Sequence, residues 1–135
     1  MPRIVFLCVR NAGRSQMAAA WATLLGGDAV EVFSGGSDPA AGVHPVVIEA
    51  MREVGVDLTA EVPARWTDDV IASADVVVTM GCGDTCPVFP GVRFVDWQVP
   101  DPAGEPIERV RPIRDDLRDR VGALLTELGI QVPVP

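Results

Sequence analysis

The chain of 135 residues has no lysine and no tyrosine, a single histidine and three cysteines. Its 11 cationic side chains are all arginine, set against 19 acidic ones, for a net charge of −8. That balance argues against a nucleic-acid partner. It also obliges any anion site to create its own local positive field. With one histidine and no second cysteine pair, a four-ligand zinc site is not supported, and no metal is expected. No apolar run approaches the length needed to span a bilayer, which argues against a membrane partner. The apolar stretch at 4–9 is too short for a secretory signal, and no cleavage site follows it. The expected location is therefore the cytoplasm, where cysteines stay reduced unless they do redox work.

What is present describes an ordinary globular chain, 48% hydrophobic and 22% charged. The length suits one domain, residues 1–135, with a real core and no repeat or linker. Strand and helix patterns alternate. Residues 3–7 are β-branched-rich, 15–25 are helical and closed by Gly26-Gly27, and 29–33 read as a strand ending in Ser34-Gly35-Gly36. A helix follows at 45–54, with Pro45 in its first turn and Val47, Ile48, Met51 and Val54 on its core face. Thr67 is the expected cap of a short helix at 67–73, with Asp68 and Asp69 at its positive end. Val76-Val77-Val78 marks a strand buried on both faces, and 92–95 a shorter one. The last helix carries Ile113, Leu117, Val121, Leu124 and Leu128, and Pro112 either opens it or kinks an earlier turn. This alternation predicts a three-layer α/β/α fold around a four-stranded parallel sheet.

The chain is organised around Cys8-Val9-Arg10-Asn11-Ala12-Gly13-Arg14-Ser15, between the apolar run Ile4-Val5-Phe6-Leu7 and a helix. A strand that ends in a small-residue loop and enters a helix directs backbone N–H groups into the turn. The helix N-terminus adds positive potential, and together they form an oxyanion cradle. The whole stretch from Cys8 through Val9, Arg10, Asn11, Ala12, Gly13 and Arg14 to Ser15 is therefore the expected anion-binding segment. Cys8 at its rim is the expected nucleophile, because cradle and Arg14 both favour the charged form of the thiol. The Arg14 fork suits two oxygens of a tetrahedral anion. Ser15 can donate to the sulfur and help it leave. A cysteine ending a buried strand is by itself often only a small hydrophobe. Here the spacing and the strand-to-helix junction occur together.

In parallel sheets, sites lie beyond the carboxyl ends of the strands. The third strand leads into Cys82 and Cys86, and the fourth toward Asp101. Cys82 and Cys86 are either unremarkable loop thiols or an accessible redox pair, since glycines and polar residues flank them. Asp101-Pro102 is a turn dipeptide. Its place near Cys8 makes Asp101 a candidate general acid or polar anchor. His44 is better placed to open a helix than to catalyse. Trp21, Trp66 and Trp97 are packing residues, with Trp97 near the site.

The Cys8…Arg14-Ser15 loop with Asn11, followed by Gln16-Met17-Ala18, resembles the low-molecular-weight tyrosine phosphatase family. More narrowly it resembles the thiol-coupled arsenate reductases on that fold, with features of the actinobacterial kinds. The likeness extends through residues 76–80, Cys82, Cys86-Pro87, Trp97 and Asp101-Pro102-Ala103-Gly104. It implies a four-stranded parallel sheet, Cys8 as nucleophile, Arg14 as oxyanion ligand, Asn11 as loop-shaper, Ser15 as support for the thiolate and Asp101 as general acid. It further implies reduction of arsenate to arsenite with no tightly bound cofactor and with an external thiol reductant. In one version Cys82 attacks Cys8, Cys86 closes a Cys82–Cys86 disulfide, and thioredoxin reduces it. In the other the second thiol is mycothiol, cleared by mycoredoxin. The oligomer is open between monomer and homodimer.

Three departures narrow the substrate. Arg10 replaces the usual glycine and adds positive charge at the mouth. Ala103 and Gly104 stand where the phosphatases carry tyrosines that grip an aromatic substrate. Ala19 falls where some reductases place a carboxylate that helps hold potassium, so no potassium requirement is expected. Hydrolysis of phosphate monoesters through a Cys8 phosphocysteine remains the alternative, and a non-enzymatic arsenical-binding module a third.

Overall fold

The computed structural model describes residues 1–81 and 89–133. The elements alternate: β1 (Arg3–Cys8), α1 (Arg14–Gly26), β2 (Glu31–Gly36), α2 (Pro45–Arg52), α3 (Asp68–Ala72), β3 (Val76–Thr79), β4 (Arg93–Asp96) and α4 (Ile107–Glu127). The strands form one sheet in the order β2-β1-β3-β4, with every neighbouring pair parallel. Helices cover both faces, as the alternation predicts.

β1 lies inside the sheet, and Ile4 to Cys8 are all buried. Successive side chains on a strand point to opposite faces. Ile4, Phe6 and Cys8 therefore join the larger core with Met17, Trp21, Met51 and Leu117. Val5 and Leu7 join the smaller one with Trp66, Ile71 and Val77. This parity puts the Cys8 sulfur on the face that carries α1. Trp97 is buried on the same face, its ring centroid 6.1 Å from that of Phe6.

Several boundaries differ from the sequence reading. Residues 27–29 form a 3-10 turn, and β2 begins at Glu31 and continues through Gly36, which pairs with Cys8. The glycines are not a strand exit. A β-carbon on Gly36 would lie 2.5 Å from the Val9 carbonyl oxygen, so this position permits a close backbone approach beneath the loop. α2 ends at Arg52, and its buried residues are Val47, Ala50 and Met51, while Ile48 and Val54 are only partly covered. α3 is capped as expected, with Thr67 Oγ1 accepting from the Val70 N–H at 3.3 Å. α4 starts at Ile107 after the Pro106 cap, so Pro112 does not open it but lies inside it, after an earlier turn that contains Ile107 and Val110. Pro112 sits on the solvent side, where water can serve the carbonyl that its missing N–H leaves free.

An ionic cluster ties α1, α2 and α4 together. Arg114 Nη1 donates to the Ala50 carbonyl at 2.9 Å and to Glu53 at 2.7 Å. The Trp21 indole N–H donates to the Arg114 carbonyl at 3.0 Å. Arg111 grips the same Glu53 carboxylate from its Nε and Nη2. The hydrogen bonds from Arg111 and then Arg114 lower the Glu53 pKa from 4.5 to about 2. A depressed acid stabilises the fold above its unfolded pKa and loses that contribution as the pH falls through its folded one. Between pH 4.5 and about 2 the native chain should therefore lose stability. Urea midpoints measured across this window should fall less steeply in Glu53→Gln than in the unaltered chain.

Candidate active site

The 8–15 loop is held by its carbonyl groups. Val9 and Arg10 accept from the N–H groups of Asp38 and Ala40, each at 2.9 Å. Ala12 accepts from His44 N–H at 2.9 Å, and Gly13 from Met17 N–H at 3.0 Å. The Asn11 carbonyl accepts from Gln16 Nε2 at 3.1 Å. Five consecutive carbonyls are thus committed to the surrounding framework. There are no cis peptides among the described residues. In a trans peptide the N–H points opposite to the preceding C=O. The N–H groups of residues 10–14 are therefore directed away from the framework, into the bowl of the loop. The first N–H groups of α1 open onto the same bowl, and its positive dipole end faces it.

Asn11 makes the loop curl. Its φ of 50° is the only positive value among described non-glycine residues. Asn11 Oδ1 accepts from the Ala64 backbone N–H at 3.0 Å. A backbone N–H can only donate, so the amide orientation is settled and Nδ2 faces Ser15. Asn11 Nδ2 donates to Ser15 Oγ at 2.7 Å. That hydroxyl lies 2.9 Å from Cys8 Sγ, and it is the donor whenever the sulfur is a thiolate, which can only accept. Asn11, Ser15 and Cys8 are 1%, 0% and 3% exposed, so water does not compete for these bonds.

Arg14 spans the gap between the strand ends. Its side chain is 14% exposed, and Nη1 donates to the Val99 carbonyl at 3.2 Å. Nη2 lies 3.8 Å from Asp101 Oδ2, an ion pair rather than a hydrogen bond. Gly81, just past the end of β3, leaves no room for a side chain: a β-carbon there would lie 2.4 Å from Nη1. Asp101 makes two contacts. Oδ1 accepts from Ala103 N–H at 3.0 Å and closes a turn, while Oδ2 faces Arg14. Pro102 packs on the loop, 2.8 Å from where a β-carbon of Gly13 would sit.

The ends of β1, β3 and β4 therefore converge on Arg14, and Cys8, Asn11, Arg14, Ser15 and Asp101 form one constellation. Cys82 and Cys86 lie outside the described residues. Arg10 does not present a free charge at the mouth, because Nη1 pairs with Asp38 at 2.6 Å on the surface. His44 opens α2 and anchors the loop through its backbone N–H. Gln16 was read only as part of the helix and of the resemblance, with no role of its own; it is 4% exposed, an amide buried in the first turn of α1. No cluster of three or more His, Cys, Asp or Glu side chains able to hold a metal occurs among the described residues. No described helix is long and apolar enough to cross a membrane.

Residues 3–134 match the family described as low molecular weight phosphotyrosine protein phosphatase. Arsenate reductase 2 of Staphylococcus epidermidis is 37% identical over 127 residues, 91% of this chain and 95% of that protein. Arsenate reductase 1 of Bacillus cereus is 41% identical over 122 residues, 87% of this chain and 90% of that one. Among solved structures, the thioredoxin-dependent arsenate reductase of Corynebacterium glutamicum superposes with a TM-score of 0.84 at 41% identity. That match covers 96% of this chain and 62% of the longer one. The family match begins at the first residue of β1 and takes in the whole cradle and Asp101, so the chain belongs to the low molecular weight phosphotyrosine protein phosphatase family.

Proposed function

We propose that the chain reduces arsenate to arsenite, with Cys8 as nucleophile and the 8–15 loop as oxyanion cradle. The observation that carries this is the loop itself: five carbonyls bound outward, N–H groups turned inward, and the Cys8 sulfur at its foot beneath the Ser15 hydroxyl. Arsenate, held by the loop N–H groups and Arg14, is attacked by the Cys8 thiolate. Water or hydroxide leaves arsenic with help from Asp101. A second thiol then attacks the Cys8 sulfur. Arsenic departs with the electron pair of the S–As bond, falling from the +5 to the +3 state, while two thiols become one disulfide. Ser15 supports charge on sulfur when it attacks and again when it leaves.

The second thiol is Cys82, resolved by Cys86 into a disulfide for thioredoxin, or it is mycothiol, with mycoredoxin clearing the product. The thioredoxin-dependent structural neighbour supports the first route. Cytoplasmic location fits the need for a reducing thiol pool. Phosphate-monoester hydrolysis through a Cys8 phosphocysteine is the second reading, and Asp101 beside Arg14 favours it, because an acid there would serve an alkoxide leaving group as well. The absence of tyrosine and the Ala103-Gly104 pair weigh against an aromatic substrate.

The deciding measurement is arsenite release in a single turnover of fully reduced protein without added thiol, followed by mass mapping of disulfides. About one equivalent of arsenite with a Cys82–Cys86 bond is the expected result and assigns the internal relay. Release only after mycothiol is supplied assigns the second thiol to the small molecule. No arsenite with either reductant, alongside hydrolysis of aryl phosphate, overturns the reductase in favour of the phosphatase. Oxyanion binding without either reaction leaves a binding module.

A further inference from the structure

We propose that Gln16 is a positioning residue for Cys8, acting through Asn11 and Ser15. The Gln16 side-chain amide is buried and its Nε2 donates twice to one residue: to the Asn11 carbonyl at 3.1 Å and to Asn11 Oδ1 at 3.3 Å. Asn11 is the residue whose left-handed backbone curls the loop. Gln16 therefore holds both the backbone and the amide head of Asn11. The head in turn holds Ser15, and Ser15 faces the sulfur. The order of contact is Gln16, Asn11, Ser15, Cys8, with every member buried.

The second contact to Asn11 Oδ1, from Ala64 N–H, comes from a backbone group on a distant segment. It fixes which way the amide faces, and the Ser15 hydroxyl accepts from the other end of the head. Gln16 adds a further bond to the head and a side-chain bond to the Asn11 carbonyl, from one residue after Ser15. The floor around Gln16 is not tightly filled. It lines a cavity of about 440 Å³ with Ala19, Ala20, Ser34 and Leu58 among its walls. Both hydrogen bonds donated by the buried amide nitrogen go to Asn11, so the side chain is satisfied by what it holds.

The effect on turnover rests on Cys8 being the nucleophile of the reaction proposed above, so the test includes a readout independent of arsenate. Gln16→Met keeps the length of the side chain and deletes its donors. It should lower kcat for arsenite formation about tenfold, the rate equivalent of one hydrogen bond, with KM for arsenate changed less than about twofold. Carbamidomethylation of the Cys8-containing peptide by iodoacetamide, followed by mass spectrometry, should slow by a similar factor. In a Ser15→Ala background the same substitution should cost less than about twofold on both measures, since the last link is already gone. A purely structural Gln16 predicts the full loss in both backgrounds, and that result overturns the proposal, as does an unchanged alkylation rate in Gln16→Met. If Gln16→Met does not fold, Gln16→Glu substitutes for it, because a carboxylate facing two acceptor oxygens removes the same bonds. Absence of arsenite from the unaltered protein would sink the reductase reading alone, while the alkylation series would still decide the role of Gln16.

Discussion

Cys8→Ser is expected to form no arsenite, a loss of roughly ten-thousandfold or more. The reason is electronic as well as nucleophilic. In the proposed reaction sulfur leaves arsenic by becoming half of a disulfide, and the S–As electron pair goes to the metalloid. An alkoxide oxygen has no such exit, so even an oxygen adduct would be returned unreduced. The replacement is close to isosteric, and Cys8 ends a strand whose backbone bonds it does not alter. The inward N–H groups and Arg14 remain, so phosphate should still protect the folded chain against heat. Retained phosphate binding without arsenite is the expected pair of results. Arsenite from this variant would remove Cys8 from the chemistry.

The second large effect is expected at Gly81. A β-carbon there would meet the Arg14 guanidinium, with Nη1 at 2.4 Å and Cζ at 3.0 Å. The guanidinium is the far end of a long side chain, so in Gly81→Ala the fold survives by pushing Arg14 out of place. A displacement of about 1 Å at a positioning group costs about a hundredfold in rate, and kcat/KM for arsenate should fall by that order. Gly81 also has φ +80°, a region that costs a non-glycine residue roughly 1–2 kcal/mol. Gly129→Ala separates the two effects. Its φ is +82°, but a β-carbon there would meet nothing. Both variants should lose similar stability in urea, and only Gly81→Ala should lose activity. Equal catalytic losses, or none in either, would refute a spatial constraint on Arg14.

The cradle was legible in the sequence because it is local. Strand, loop and helix are contiguous from Arg3 to Gly26, and chain direction alone decides which groups face the turn. Asp101 was legible only through topology, since a parallel sheet gathers its strand ends at one edge. β2 was misread because glycine carries two meanings. At Gly36 it permits contact with Val9 rather than ending the strand. The Asn11 amide could not be read at all from sequence, because the donor that settles it, Ala64, lies 53 positions away and offers only backbone. Arg10 was misjudged for a similar reason: its partner, Asp38, comes from a loop that carries no pattern of its own.

Cys8 is the last residue of a strand paired on both sides, and 3% of it is exposed. The sulfur is therefore anchored like a fixed post on a quay. In the proposed reaction the sulfur cannot swing out to meet a second thiol, so that thiol must be brought to the sulfur.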